Sequence, residues 1–262
     1  MIKFFRHIRR SLINENKMGK YFKYAIGEVI LVMIGILLAL QVNNWNQKRL
    51  EHNEEKIILS NLKGDFQNAI TEFKLLNALR NRIIDGAKSI TKVSSKSIDQ
   101  YSTRYLDSLF SLTLTSPTFN NNSGSLNVLL SSGKINLISN DTLKKKLIEW
   151  PGDVEDMIED EISQNDIYNG PYQQILSEYL SWNDLIKSYK TYQRVRFEVV
   201  NLEPMPDNPT SKSDYKALFN EKLFFNILHR RAVYCYGTNQ ETMGLINKAE
   251  RILKFIEDEL KK

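Results

Sequence analysis

A chain of 262 residues with 42% hydrophobic content can bury one or two cores and is not disordered throughout. Its net charge of +5 is gathered at one end: residues 1–23 carry Lys3, Arg6, Arg9, Arg10, Lys17, Lys20 and Lys23 against Glu15, leaving 29 basic and 30 acidic residues for the rest. A near-neutral remainder without a basic stripe removes the main support for a nucleic-acid partner, and none is expected; a single cysteine, Cys235, excludes an intramolecular disulfide.

In chain order, residues 2–13 come first. Ile8 and Leu12 recur with Phe4 or Phe5 at helical spacing, with Arg6, Arg9 and Arg10 on other sides, which predicts a helix lying on a membrane surface. The alternative is a flexible basic tail that only sets topology. Arg6, Arg9, Arg10, Lys17, Lys20 and Lys23 form the membrane-surface set, each contributing on the order of 1 kcal/mol beside an anionic leaflet.

Residues 24–42, YAIGEVILVMIGILLALQV, hold one charge, Glu28, and as a helix extend roughly 28 Å, close to the hydrocarbon thickness of a bilayer. This predicts an uncleaved transmembrane anchor, because the basic leader is long for a signal peptide and Ala39-Leu40-Gln41 is a poor processing site. Seven basic residues precede the span, while only Lys48, Arg49 and Lys56 follow within twenty residues, so the N-terminus is expected inside and residues 43–262 outside. Tyr21, Tyr24 and Trp45 are placed as interfacial anchors. Glu28, Val32, Gly35 and Ala39 fall on one stripe, whose small residues suit close packing against another span; Glu28 alternatively reaches the headgroups.

Beyond the span, Leu59, Leu62, Phe66, Ala69, Phe73, Leu76 and Ile83 follow the alternating three- and four-residue steps of a coiled-coil seam, broken at Arg80. Ile58, Ile70 and Leu79 widen it, which favours a bundle within one subunit. Helices are predicted over 98–112, 126–130 ending at Gly133, and 141–150 capped by Asn140 or Asp141, with Pro151 where the next could begin. Gly170-Pro171 interrupts before 172–180; a short strand is possible over 192–202 and a loop over 203–213. At the C-terminus Phe225, Leu228, Ala232 and Cys235, then Ile246, Ala249, Leu253, Ile256 and Leu260, describe one long helix, with Gly237 and Gly244 as possible bends. The fold class is all-α: a basic segment (1–23), a transmembrane helix (24–42), and an antiparallel helical bundle (43–262) with long first and last helices.

No motif for catalysis stands out. The sequence has no G-x-S-x-G, no phosphate-binding glycine loop and no zinc spacing, and His7, His52 and His229 are scattered. Eight acids between 149 and 166 lack the calcium-loop pattern and read as a solvated face. No catalytic residue, metal or cofactor is expected, and Cys235 reads as a core thiol.

The segments FFRHIRRSLINENKMGKYFK and YAIGEVILVMIGILLALQVNNWN, with SSGKINLISNDTLKKKLIEW at 131–150, resemble an uncharacterised family of single-pass bacterial envelope proteins grouped as a domain of unknown function. The resemblance implies an inner-membrane anchor and a helical periplasmic domain, and supplies no activity or catalytic residues to carry over. The expected function is a non-enzymatic anchored module binding another envelope component or itself. The alternatives are an extracytoplasmic small-ligand sensor working with a membrane partner, a hydrolase of unseen type, and a pilin-like protein, from which Gly27 directly before Glu28 departs.

Overall fold

Residues 36–63 contain neither glycine nor proline, so nothing in them interrupts an α-helix. In the computed structural model, which describes residues 18–120, 123–189, 206 and 212–262, helix α1 covers Met18–Lys92. The chain divides into two units, Met1–Ile57 and Ile58–Lys262. In the first, every side chain from 29 to 50 is exposed. By length and composition this is a helix able to cross a membrane. The surface helix expected over 2–13, and with it Arg6, Arg9, Arg10 and Lys17, lies outside the described residues.

The second unit is a bundle. After α1 come a 3₁₀ turn (Ser95–Gln100), α2 (Thr103–Ser111), α3 (Gly124–Ser131), a second 3₁₀ turn (Lys134–Leu137) and α4 (Asp141–Ile167). A π-helical turn (Tyr168–Tyr172), α5 (Gln173–Tyr179), α6 (Trp182–Tyr189), α7 (Tyr215–Leu218) and α8 (Lys222–Leu260) follow. No strand occurs among the described residues; the one considered over 192–202 falls outside them.

The three long helices run as the seams imply. Lys63 pairs with Glu257, Lys74 with Glu250 and Arg80 with Thr242, so numbers fall along α8 as they climb along α1, and the two helices are antiparallel. Asn140 to Glu259 and Lys248 to Asp153 set α4 antiparallel to α8 in the same way.

Several local expectations need correction. The helix expected over 98–112 is two pieces, because Ser94 and Ser102 each turn a side-chain oxygen back to a nearby amide, Lys96 N and Tyr105 N, and each starts a new element. Pro151 does not begin a helix but lies inside α4. A proline within a helix costs about 3 kcal/mol, whereas Trp150, Val154 and Met157 around it are buried at roughly 1.5–3 kcal/mol each, so packing carries the helix through. Gly170 departs from helical geometry at φ −93° and ψ −105°, and there the chain widens into the π turn that holds Pro171 instead of stopping. Asn140 caps α4 by accepting from Leu143 N at 3.0 Å. Gly133, at φ 71°, closes α3 in the left-handed region where a side chain would be strained.

On α8 the buried face is centred on Phe224, Leu228, Arg231 and Cys235, then Leu245, Ala249, Ile252 and Ile256. Phe225, Ala232, Ile246, Leu253 and Leu260 of the expected set are half-buried on its flank. The helix runs through Gly237 and Gly244 as one element.

Two apolar cores result. One gathers around Phe73, stacked on Phe119 at 4.4 Å and near Trp150, with Leu59 to Leu76 of α1 and Leu245 to Ile256 of α8. The other gathers around Phe110, stacked on Phe224 at 5.7 Å, and draws in the end of α1, α2, and the segments 167–185 and 215–228. Among the described residues, the small buried group Ile83, Ile84 and Cys235 lies apolar between them.

Candidate functional site

All three long helices turn polar at the level between the cores. On α1 the inward position after Leu76 is Arg80; on α4, after Met157, come Glu161 and Gln164; on α8, after Leu228, come Arg231, Thr238 and Thr242. Arg80, Gln164, Arg231, Thr238 and Thr242 are fully buried and Glu161 nearly so. Arg80 therefore does not break the α1 seam; it continues it inward.

Arg80 Nη2 donates to Glu161 Oε1, and Nη1 donates to Asn77 Oδ1 at 3.2 Å and Thr242 Oγ1 at 3.1 Å. Thr242 can accept because its own hydrogen goes to the Thr238 carbonyl at 2.7 Å. The second carboxylate oxygen of Glu161 accepts the Phe119 amide at 2.8 Å and so holds the loop after α2. Seven of the eight acids between 149 and 166 remain consistent with a solvated face, but Glu161 corrects that reading: it lies four residues after Met157 on the buried side.

Arg231 is held differently. Nη2 donates to the Thr113 carbonyl at 3.1 Å and to the Thr115 carbonyl, while the guanidinium carbon lies 4.4 Å from the Tyr168 ring centre and 5.2 Å from that of Tyr172. Tyr172 donates to Thr113 Oγ1 at 2.6 Å, because the Thr113 hydroxyl hydrogen is given to the Phe110 carbonyl. No carboxylate among the described residues pairs with Arg231.

Burial governs the charges. It lowers the pKa of both arginines, opposed by Glu161 at Arg80, yet a guanidinium keeps its proton. It pushes the Tyr172 phenol up to about 12 and the Cys235 thiol up to about 11, the arginines pulling the other way too weakly to ionise either. Cys235 is a buried, protonated thiol, as expected of a core residue. Several polar atoms here have no protein partner: Arg80 Nε, Arg231 Nε and Nη1, both ends of the Gln164 amide, and Asn239 Oδ1.

The membrane-facing candidates stand apart from this layer. Glu28, Val32, Gly35 and Ala39 all lie on α1, Glu28 partly covered and the others exposed. A side chain built at Gly35 would meet nothing within 4 Å. Lys23 is exposed, and Lys20, Tyr21 and Tyr24 lie in the same helix. Trp45 is exposed, with the Arg49 guanidinium 5.9 Å from its ring centre. A groove of about 520 Å³ lies between α1 and α3, with Ile58, Asn61 and Val128 among its walls; its Asp65 already accepts the Ser125 amide at 2.9 Å.

A helical bundle with a buried polar layer, attached to a helix long and apolar enough to cross a membrane, is the class of protein these features define. The chain belongs to a family of unknown function, DUF6090, which matches residues 28–178. That match runs from the apolar stretch through Glu161 and Gln164 to α5. Neither a curated protein nor a solved structure matches the chain.

Residue type alone conceals the layer, because arginine and glutamate are rarely buried. The signal was their phase: Arg80 lies four after Leu76 and three before Ile83, and Arg231 three after Leu228 and four before Cys235.

Proposed function

We propose that the chain is a single-pass anchored module of the bacterial inner membrane, N-terminus in the cytoplasm and helical domain in the periplasm. That domain binds another envelope component or a second copy of itself, without catalysis. The observation that carries the reading is the apolar stretch 29–42, helical and exposed along its whole length, since such a surface is stable in lipid and costly in water. The excess of basic residues before it supports the orientation. Binding is supported by α8, where Val233, Tyr236 and Met243 expose apolar side chains at helical spacing. The reactive groups of the polar layer lie beneath helices, which supports a role other than catalysis.

The test is a reporter fused after Lys262 in intact cells stripped of their outer membrane, followed by alkaline extraction of the membranes. The expected result is a chain retained in the membrane with the reporter open to added protease. A protected reporter on a chain that washes off overturns the reading. Crosslinking within the membrane then captures the partner, and recovery of monomer alone overturns the binding role.

A second reading, a small-ligand sensor working with a membrane partner, is favoured by the buried polar layer, whose unpartnered donors are of the kind that recognise a ligand.

A further inference from the structure

The outward side of α8 has a heptad order of its own. Along its centre lie Val233, Gln240 and Asn247, seven residues apart, all exposed and uncharged. At about 100° per residue, one edge of this strip is formed by Tyr236, Met243 and Glu250 and the other by Gly237, Gly244 and Arg251, each set again seven apart. Tyr236 and Met243 are more than half exposed, whereas a Cβ at Gly237 or Gly244 would meet nothing within 4 Å. An exposed face that lacks charge at its centre and offers Tyr and Met has the composition of an interface core.

The two edges are complementary to each other. A two-fold axis parallel to the helix sets every central residue of one copy opposite its own counterpart in a second, and each edge opposite the other edge. Tyr236 and Met243 then stand over the second copy's Gly237 and Gly244, large on small. Glu250 stands beside the second copy's Arg251, acid on base. Gln240 and Asn247 meet themselves, and a carboxamide is self-complementary because it both donates and accepts. An antiparallel pair sets like edges together instead, with bulky side chains crowded on one side and bare glycines facing a gap on the other. Arg251 is exposed and has no ion pair among the described residues, and Glu250 lies 3.7 Å from Lys74 with both side chains more than half exposed, so both charges can take a second-copy partner.

We propose that this strip is where two copies of the chain pair, their α8 helices parallel and in register. The proposal names the partner for the binding face of the anchored module and rests on that reading: two carboxamides and two glycines make a weak seam in free solution, and confinement of both copies to one bilayer raises their effective concentration.

The test is oxidative crosslinking of the full chain in native membranes, with a cysteine introduced by Val233→Cys, Gln240→Cys or Asn247→Cys. The native Cys235 is buried, so the parent chain serves as the blank. The expected result is a disulfide-linked dimer of the chain at all three positions, and none for Lys145→Cys, whose side chain on α4 is 77% exposed. Adding Gly244→Leu to Gln240→Cys leaves the single copy folded, since leucine favours a helix and points into open space, but it fills the place of the second copy's Met243. The dimer yield should then fall about tenfold, as overpacking one contact implies. A dimer at Gln240→Cys alone, which is the mark of an antiparallel crossing, would overturn the proposal, and so would a yield unchanged by Gly244→Leu. Linkage only to a different protein would overturn the pairing and leave the anchored binding module standing, whereas a chain that washes off the membrane defeats both.

Discussion

Arg80 and Glu161, 81 positions apart in the chain, meet inside the bundle as a hydrogen-bonded ion pair with side-chain exposures of 0% and 3%. Removing one member strands the other charge in an apolar interior, so Arg80→Met or Glu161→Gln alone is expected to cost about 3–5 kcal/mol. The double variant Arg80→Met/Glu161→Gln is expected to cost less than the sum of the two by more than about 1 kcal/mol. Denaturant titrations followed by fluorescence of the buried Trp150 measure the cycle, and simple additivity would show that the pair is uncoupled.

Cys235 gives a dependence on alkaline pH. Its thiol stands near 9.0 when free and about 11 in the fold, so the folded state holds the proton more tightly. The stabilisation is fully present below pH 9 and is lost as pH rises towards 11. The stability difference between the wild type and Cys235→Ala should shrink across that window by up to about 2 kcal/mol and stay constant below it. A thiol reagent at pH 8 should label the chain only after unfolding; rapid labelling of the folded chain would contradict the buried position.

Gly86 lies where α1 approaches the end of α2 closely. A Cβ there would stand 2.8 Å from Leu112 Cβ and 3.0 Å from Thr113 Cγ2, neither of them the far end of a flexible side chain. Gly86→Ala is expected to destabilise by about 1–3 kcal/mol although alanine is the better helix former. A rise in unfolding midpoint would show that the two segments separate readily.

Asn140 serves two helices at once. Its oxygen caps α4 at Leu143 N, and its nitrogen donates to Glu259 near the end of α8 at 2.7 Å. Asn140→Ala removes both and is expected to cost about 2 kcal/mol, whereas Asn140→Ser keeps the cap and is expected to recover about half. Equal losses in the two variants would assign the whole effect to the contact with Glu259.

The apolar rhythm of α1 made the long first helix legible; Gly133 marked the end of α3, and the start of α4 was legible as Asn140 or Asp141, of which Asn140 is the cap. Elements controlled by distant packing were not legible. Pro151 stops a helix in isolation, and only the burial of Trp150 beside it shows why α4 continues. Ser94 and Ser102 cap two short elements where hydrophobic spacing described one. Of the candidate site, the apolar span could be read, but Glu161 was hidden among seven acids of similar spacing, and its partner is supplied by a helix the local pattern does not name.

The position of the polar layer also fixes how the helices mesh. Three long amphipathic helices with uniform leucine-like seams can slide past one another by a turn and lose little contact. Here a one-turn slip of α1 would carry Arg80 towards the Phe73 core or into the Phe110 core and leave Glu161 facing aliphatic side chains. The charged level thus acts as an alignment mark, making one stagger of the three helices far cheaper than its neighbours.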